Sequence, residues 1–363
     1  MRESAAERHD RLLSLVRRRG TARVSELAGR LGVSSVTVRR DVEALAGRGL
    51  LDRVHGSVSW PEGHGLPQRR AGSGELVLGL LAPSATYYFA EVIRGASEAA
   101  ERAGARIVLR ISDYRPAEDR ARTEGLLEAG AEGLLIAPGW RSADDPAEHS
   151  AWIAELPVPT VLLERRPVPG SALDALDRVS SDHGHGVLLA VRHLMDLGHR
   201  TPLLVARADS PTALAVRSGY AEALRVLGLR TPGPVIESVP ADQDPEGFEA
   251  AAQAVRAAVA AGTATAALVH NDVDAIQLMQ RLGELEVRVP EDLALIAYDD
   301  EVAALADTPL TAVAPPKRHV GRHATELLME RLTEQRGEDE PRRHLSLLPR
   351  LNVRASCGAA ARG

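Results

Sequence analysis

The segment AALVHNDVDAIQLMQRLGELEVRVPEDLALIAYDD, residues 266–300, opens on a short apolar run from Ala266 to His270. It continues through an amphipathic helical stretch starting near Val273 and ends on a second apolar run, Ala294 to Tyr298. Strand, helix and strand at this spacing make a βαβ unit with parallel strands. The same alternation extends outward. Upstream, candidate strands lie at Val77 to Leu81, Arg106 to Ile111, Gly133 to Ala137, Thr160 to Leu163, Leu203 to Ala206 and Val235 to Val239. Helices starting near Tyr88, Pro116, Gly186, Ala213, Pro245 and Lys317 supply the crossovers. Eight strands suit two sheets better than one.

Before this region the pattern changes. From Arg8 to Arg19 the apolar Leu12, Leu13, Leu15 and Val16 share one side of a 3.6-residue period, and Gly20 stops the helix. Val24 to Leu31 makes a second short helix, Gly32 the turn, and Ser34 an N-cap for a third helix through Ala46. In that third helix Val38, Val42 and Leu45 face a core, leaving Val36, Arg39, Arg40 and Glu43 outward. A recognition helix needs a polar, basic first turn, because that end enters the major groove. Arg39 and Arg40 supply the charge, and Ser34, Ser35 and Thr37 supply hydroxyls. Leu50 to Val54 and Ser57 to Trp60, around His55-Gly56, read as a hairpin wing. Residues 61–74, PEGHGLPQRRAGSG, are an interdomain linker by composition.

Charge follows the same division. Residues 1–70 hold 14 arginines against 8 carboxylates, net +6, whereas the remainder, with 30 basic and 42 acidic residues, carries −12. Only the head would attract phosphates. A polar N-terminus, MRESAAERHDR, and the want of any run of about 18 apolar residues lead to the expectation of a cytoplasmic chain without a membrane partner. One cysteine, Cys357, allows no internal disulfide.

The stretch VSELAGRLGVSSVTVRRDVEALAGRGLLDRVHGSV, residues 24–58, resembles the DeoR-type winged helix-turn-helix. Its markers are Val33-Ser34, Thr37, Arg39-Arg40-Asp41, Leu45, Gly49 and Arg53 with His55-Gly56; Ser57 stands where that family usually has a second glycine. The resemblance implies DNA contacts from Ser34, Ser35, Val36, Thr37, Arg39, Arg40, Arg53 and His55. Beyond the linker, YYFAEVIRGASEAAERAG, EGLLIAP, VSSDHGHGVLLAVRHLMDLGHR, AVRSGYAEALRVLGL, HNDVDAIQLMQRLGELEVRVPEDLALIAYDD and LTAVAPPKRHVGRHATELLMERL resemble the ligand-binding domain of LacI/GalR-type regulators. This implies a two-lobed α/β domain, like that of periplasmic binding proteins, over 75–357. Lobe one would comprise about 75–178 and 308–338, and lobe two about 179–307 and 339–357, behind a head at 1–60 and a linker at 61–74. LacI-type relatives join their own head through a hinge helix, a feature this Gly- and Pro-rich linker does not share.

A polyhydroxylated ligand needs flat aromatic faces and charged planar groups. Tyr87, Tyr88 and Phe89 are consecutive among only ten aromatics, so they cannot all face a core by helical period. Tyr88 or Phe89 is expected to stack on ligand; packing under the first helix is the alternative. By resemblance, Arg217 and Asp272 grip ligand hydroxyls and face each other across them, although Arg217 could be a helix-surface charge and Asp272 a helix cap. Glu164 and Asp242 stand where relatives touch ligand. Asp182-His183-Gly184-His185 has metal-ligand residue types but no identifiable third or fourth ligand, so neither metal nor cofactor is expected. No phosphate loop or nucleophile elbow is present. The expectation is therefore a DNA-binding repressor rather than an enzyme or transport receptor, homodimeric on its operator and controlled by a small polar effector such as a sugar.

Overall fold

In the computed structural model the described residues are 12, 16, 21–31, 33–34, 37–38, 40–42, 45, 52–54, 57–59, 75–142, 149–230, 233–333 and 340–359. The chain forms two compact units, Met1–Gly74 and Glu75–Gly363. In the first, β1 (Thr21–Arg23) leads into α1 (Val24–Leu31), and the hairpin of β2 (Asp52–Val54) and β3 (Ser57–Ser59) completes an antiparallel sheet ordered β1-β3-β2. Leu12, Val16, Leu27, Leu31, Val38, Val42, Leu45 and Val58 bury one shared core. That arrangement matches the period read from the sequence; β1 is an element the sequence did not announce. Ser34 Oγ accepts the amide N–H of Thr37 at 3.2 Å, an N-cap for the helical residues beyond it.

The second unit has two parallel sheets. Lobe one contains β4 (Leu76–Ala82), α2 (Tyr88–Arg102), β5 (Ala105–Ile111), α3 (Pro116–Glu128), β6 (Gly133–Ile136), β7 (Thr160–Leu163) and β8 (Asp177–Ser181). Lobe two follows with α4 (His183–Asp196), β9 (Pro202–Ala206), α5 (Pro211–Leu227), β10 (Ile236–Glu237), α6 (Pro245–Ala260), β11 (Ala266–His270), α7 (Asp272–Glu284), β12 (Ala294–Tyr298) and β13 (Thr311–Ala314). The chain then returns to lobe one through α8 (Lys317–Thr333) and β14 (His344–Leu347), and ends in lobe two with β15 (Arg350–Asn352). Strand orders are β14-β8-β7-β6-β4-β5 and β10-β9-β11-β12-β13-β15, with β13-β15 the antiparallel pair.

The crossings between lobes thus fall at Asp182, at Pro315-Pro316 and at Leu348-Pro349. The sequence-based boundaries at 178, 308 and 339 are corrected by these strands. Short runs such as Thr311–Ala314 carry too few residues to declare which sheet they join; pairing partners decide it. Central strands are buried on both faces, which is why LVLGLLA and ALIAY read as continuous apolar runs. Two glycines bring α2 and α8 together in lobe one: a Cβ on Gly95 would collide with the Arg318 carbonyl, and one on Gly321 with that of Val92. Among the described residues no helix is long and apolar enough to cross a membrane.

Candidate functional site

Both sheets have a topological switch point. In lobe one the chain leaves β4 for β5 on one side and for β6 on the other; in lobe two β9 has β10 and β11 as its neighbours. Loops diverge there at the carboxyl ends of the strands, and a crevice opens. A cavity of about 370 Å³ lies at these ends, between the lobes. Its lobe-one wall includes Ser84, Tyr87, Tyr88, Phe89, Tyr114, Arg141 and Arg165; its lobe-two wall includes Arg207, Asp209, Gln243, His270, Asn271 and Asp299.

Tyr88 and Phe89 are placed both at the cavity and in the lobe-one core, with ring centroids 5.5 Å apart in an edge-to-face contact. Glu164 is corrected to a supporting role. It is buried behind the wall, where Oε1 accepts the Tyr88 hydroxyl at 2.8 Å and Oε2 accepts the Ser181 amide at 2.9 Å, while burial pushes its carboxyl pKa up.

Arg217 and Asp272, expected to face each other across ligand hydroxyls, both bond elsewhere in lobe two. Arg217 donates Nε to the Arg207 carbonyl at 2.7 Å and Nη2 to that of Ala206 at 2.6 Å, bracing the end of β9. Asp272 is fully buried, and its Oδ2 accepts three amide N–H groups, from Glu301 and Val302 at 2.6 Å and from Ala303 at 3.0 Å. Each makes most of its bonds to backbone, and neither lines the cavity. Asp242 is exposed outside the cavity, while the adjacent Gln243 lines it. Asn271, one residue before Asp272, is the cap of α7, accepting the Asp274 amide at 3.1 Å, and also lines the cavity.

Three cavity residues hold buried polar atoms with no hydrogen-bond partner among the described residues: Arg165 Nη2, Asp299 Oδ1 and His270 Nδ1. Arg165 is fixed by its other nitrogens, Nε on the Pro138 carbonyl at 2.8 Å and Nη1 on that of Glu164 at 3.0 Å, with its guanidinium carbon 5.6 Å from the Phe89 ring centre. Burial raises the Asp299 carboxyl to about 6, with Lys317 pulling the other way, and lowers His270 to about 4. Beside them Arg207 makes a two-point contact with Asp274 at 2.8 and 2.6 Å, to which Ser238 adds a bond of 2.7 Å. Leaving a buried donor or acceptor unpaired is expensive, so such atoms mark where a polar partner belongs.

Arg165, Arg207, Asn271 and Asp299 were missed by sequence reading. A signal existed: each is the first or second residue after an apolar strand run, the position where βα loops meet ligand. In the metal-like segment, Asp182 Oδ1 caps α4 through the His185 amide at 3.0 Å, and His183 Nδ1 lies 3.0 Å from the Tyr298 hydroxyl. These are packing roles.

In the head, Ser34 and Arg40 are exposed and Thr37 is half-buried, capped by Ser34. Arg53 lies in β2. Ser35, Val36, Arg39 and His55 lie outside the described residues.

A small sheet-and-helix head on a two-lobed domain with a polar cleft defines a ligand-controlled DNA-binding regulator. Comparisons with known proteins agree: residues 8–63 match the model of a DeoR-like helix-turn-helix domain, and residues 191–357 that of a periplasmic binding protein-like domain. Over about three quarters of its length the chain is similar to LacI-family repressors, and its head to DeoR-like helix-turn-helix domains. It is 27% identical over 281 residues to the HTH-type transcriptional repressor PurR of Vibrio atlanticus, covering 76% of this chain and 79% of that one. The ribose operon repressor of Escherichia coli is 27% identical over 284 residues, covering 76% and 80%. A LacI family transcriptional regulator from Enterococcus faecium, solved with bound ribose, superimposes with a TM-score of 0.60 at 26% identity, covering 77% of this chain and 98% of that one. The first two are named as repressors and the third as a transcriptional regulator, none as an enzyme.

Proposed function

We propose that the protein represses transcription from an operator bound by its head, and that a polyhydroxylated effector, a sugar, controls that binding from the interlobe cleft. The observation that carries this reading is the set of orphaned atoms on one cavity: a guanidinium donor at Arg165, a carboxylate acceptor at Asp299 and an imidazole nitrogen at His270. Hydroxyl groups donate and accept, so a polyol satisfies all three, while the Tyr88 and Phe89 rings offer flat faces to its C–H surfaces. A cavity of about 370 Å³ is of monosaccharide scale. The relative solved with ribose supports this ligand class.

Sequence specificity is assigned to the third helix of the head, through Ser34, Ser35, Val36, Thr37, Arg39 and Arg40, with Arg53 and His55 on the wing. A single winged head buries little DNA, so the working form is a homodimer on an inverted repeat, acting in the cytoplasm where the operator is. Effector binding in the cleft changes the relative disposition of the two heads. A thermal-shift screen of sugars, polyols and nucleosides, with D-ribose first, tests the ligand class, since a ligand at 100 times its Kd stabilises the native state by about 2.7 kcal/mol. A shift with nucleosides and none with any polyol overturns it.

A further inference from the structure

Tyr87 stands at the N-terminus of α2, in lobe one, with φ 51° and ψ −125°. A bulky side chain rarely adopts a left-handed φ, and surrounding contacts must hold it there. The Tyr87 ring packs on the lobe-one core, and the polar contacts are on the other lobe. Its hydroxyl donates to Asp272 Oδ1 at 2.5 Å and lies 3.4 Å from Asp299 Oδ2, while the ring lines the cavity. Burial, reinforced by Asp299 and Asp272, keeps the phenol protonated, so it remains a donor. Chemically this phenol offers what a sugar offers: an O–H group on a ring with flat faces.

We propose that Tyr87 is a built-in occupant of the cleft, whose hydroxyl binds the lobe-two carboxylates and holds the lobes together in the ligand-free protein. A ligand reaching Asp299 then competes with the chain's own side chain. That consequence rests on the cleft being the effector site; the closure does not. A second bond at the cleft mouth is weaker by its setting. Arg141 and Asp209 approach to 3.5 Å with side chains 56% and 45% exposed, and exposed ion pairs contribute little. Lys317, which bonds the Asp299 carbonyl and Glu301, sits beside the Pro315-Pro316 crossing and would stay there as the lobes move.

A hydrogen bond to a charged acceptor shifts an open–closed equilibrium by about tenfold or more. The test is electron–electron distance measurement on the full chain without ligand, with spin labels at Ala117→Cys on α3 and Glu246→Cys on α6, both exposed, in a Cys357→Ser background. The unsubstituted cleft should give one short, narrow distribution. Tyr87→Phe, which keeps the ring, should move the population to longer distances, raising the open-to-closed ratio about tenfold; Arg141→Ala should leave it within about twofold of the parent. The proposal is overturned if the parent is already centred on the open distance, if Tyr87→Phe superimposes on the parent, or if Arg141→Ala opens the lobes as far. The parent measurement decides even if Tyr87→Phe fails to fold. None of these readings requires that a sugar bind, so failure of the ligand class and failure of the closure are separable.

Discussion

Replacing Asp272 by alanine should damage the loop after β12 before it damages ligand binding. The carboxylate is fully buried, and one oxygen gathers the amides of Glu301, Val302 and Ala303 while the other accepts the Tyr87 hydroxyl. Alanine deletes the acceptor and strands three amides, each costing about 1–3 kcal/mol if left dry. Water entering the vacated carboxylate space recovers part of that, so we expect a net loss of about 3–5 kcal/mol. Hydrogen exchange resolves the site: amides of 301–303 should exchange about a hundredfold faster or more, since each 1.4 kcal/mol is tenfold. Chemical denaturation of the full chain should report the loss in the transition of lobe two. If exchange at 301–303 stays within about threefold of the parent while affinity for a screened effector collapses, Asp272 is a ligand contact and the capping argument is wrong.

Arg207→Ala should cost about 3–5 kcal/mol of stability, because Asp274, at 4% side-chain exposure, is left as an uncompensated buried charge; unchanged denaturation midpoints would reject this. Burial lowers His183 to about 3 and His270 to about 4, so their contribution to stability is complete above about pH 6.5 and is lost as pH falls towards those values. Asp299, raised to about 6 by burial, works in the opposite direction, its penalty fading as pH falls from 6 towards 4. Between pH 6 and 4 the three groups leave the unfolded chain one proton ahead, a loss of about 1.4 kcal/mol per pH unit, and His183→Gln should flatten the slope by that amount in denaturation curves at stepped pH. Arg39→Ala with Arg40→Ala should abolish specific operator binding in a gel shift at fixed salt, and unchanged affinity would remove the third helix from the interface. Sedimentation should show a dimer at micromolar concentration; a monomer footprinting one asymmetric half-site would refute the paired heads.

The sequence alone determined the kind of fold and most of its central elements, but not the short strands β1, β8, β13, β14 and β15. Apolar runs of four to seven residues separated by amphipathic helices bury themselves as parallel sheets with flanking helices, and Val38, Val42 and Leu45 at helical spacing join one core in the head. Tertiary structure decided which polar groups face the cleft. Asp272 and Asn271 are neighbours in the chain, yet the carboxylate turns to three amides across a loop while the amide lines the cavity, because buried N–H groups 29 to 31 residues away must find an acceptor. Arg217 and Arg207 were likewise indistinguishable by residue type; one braces carbonyls at the end of β9 and the other reaches the cavity beside Asp274. The lobe crossings at Pro315-Pro316 and Leu348-Pro349 also lay beyond local pattern, since a four-residue apolar run pairs with whichever sheet edge the rest of the chain presents.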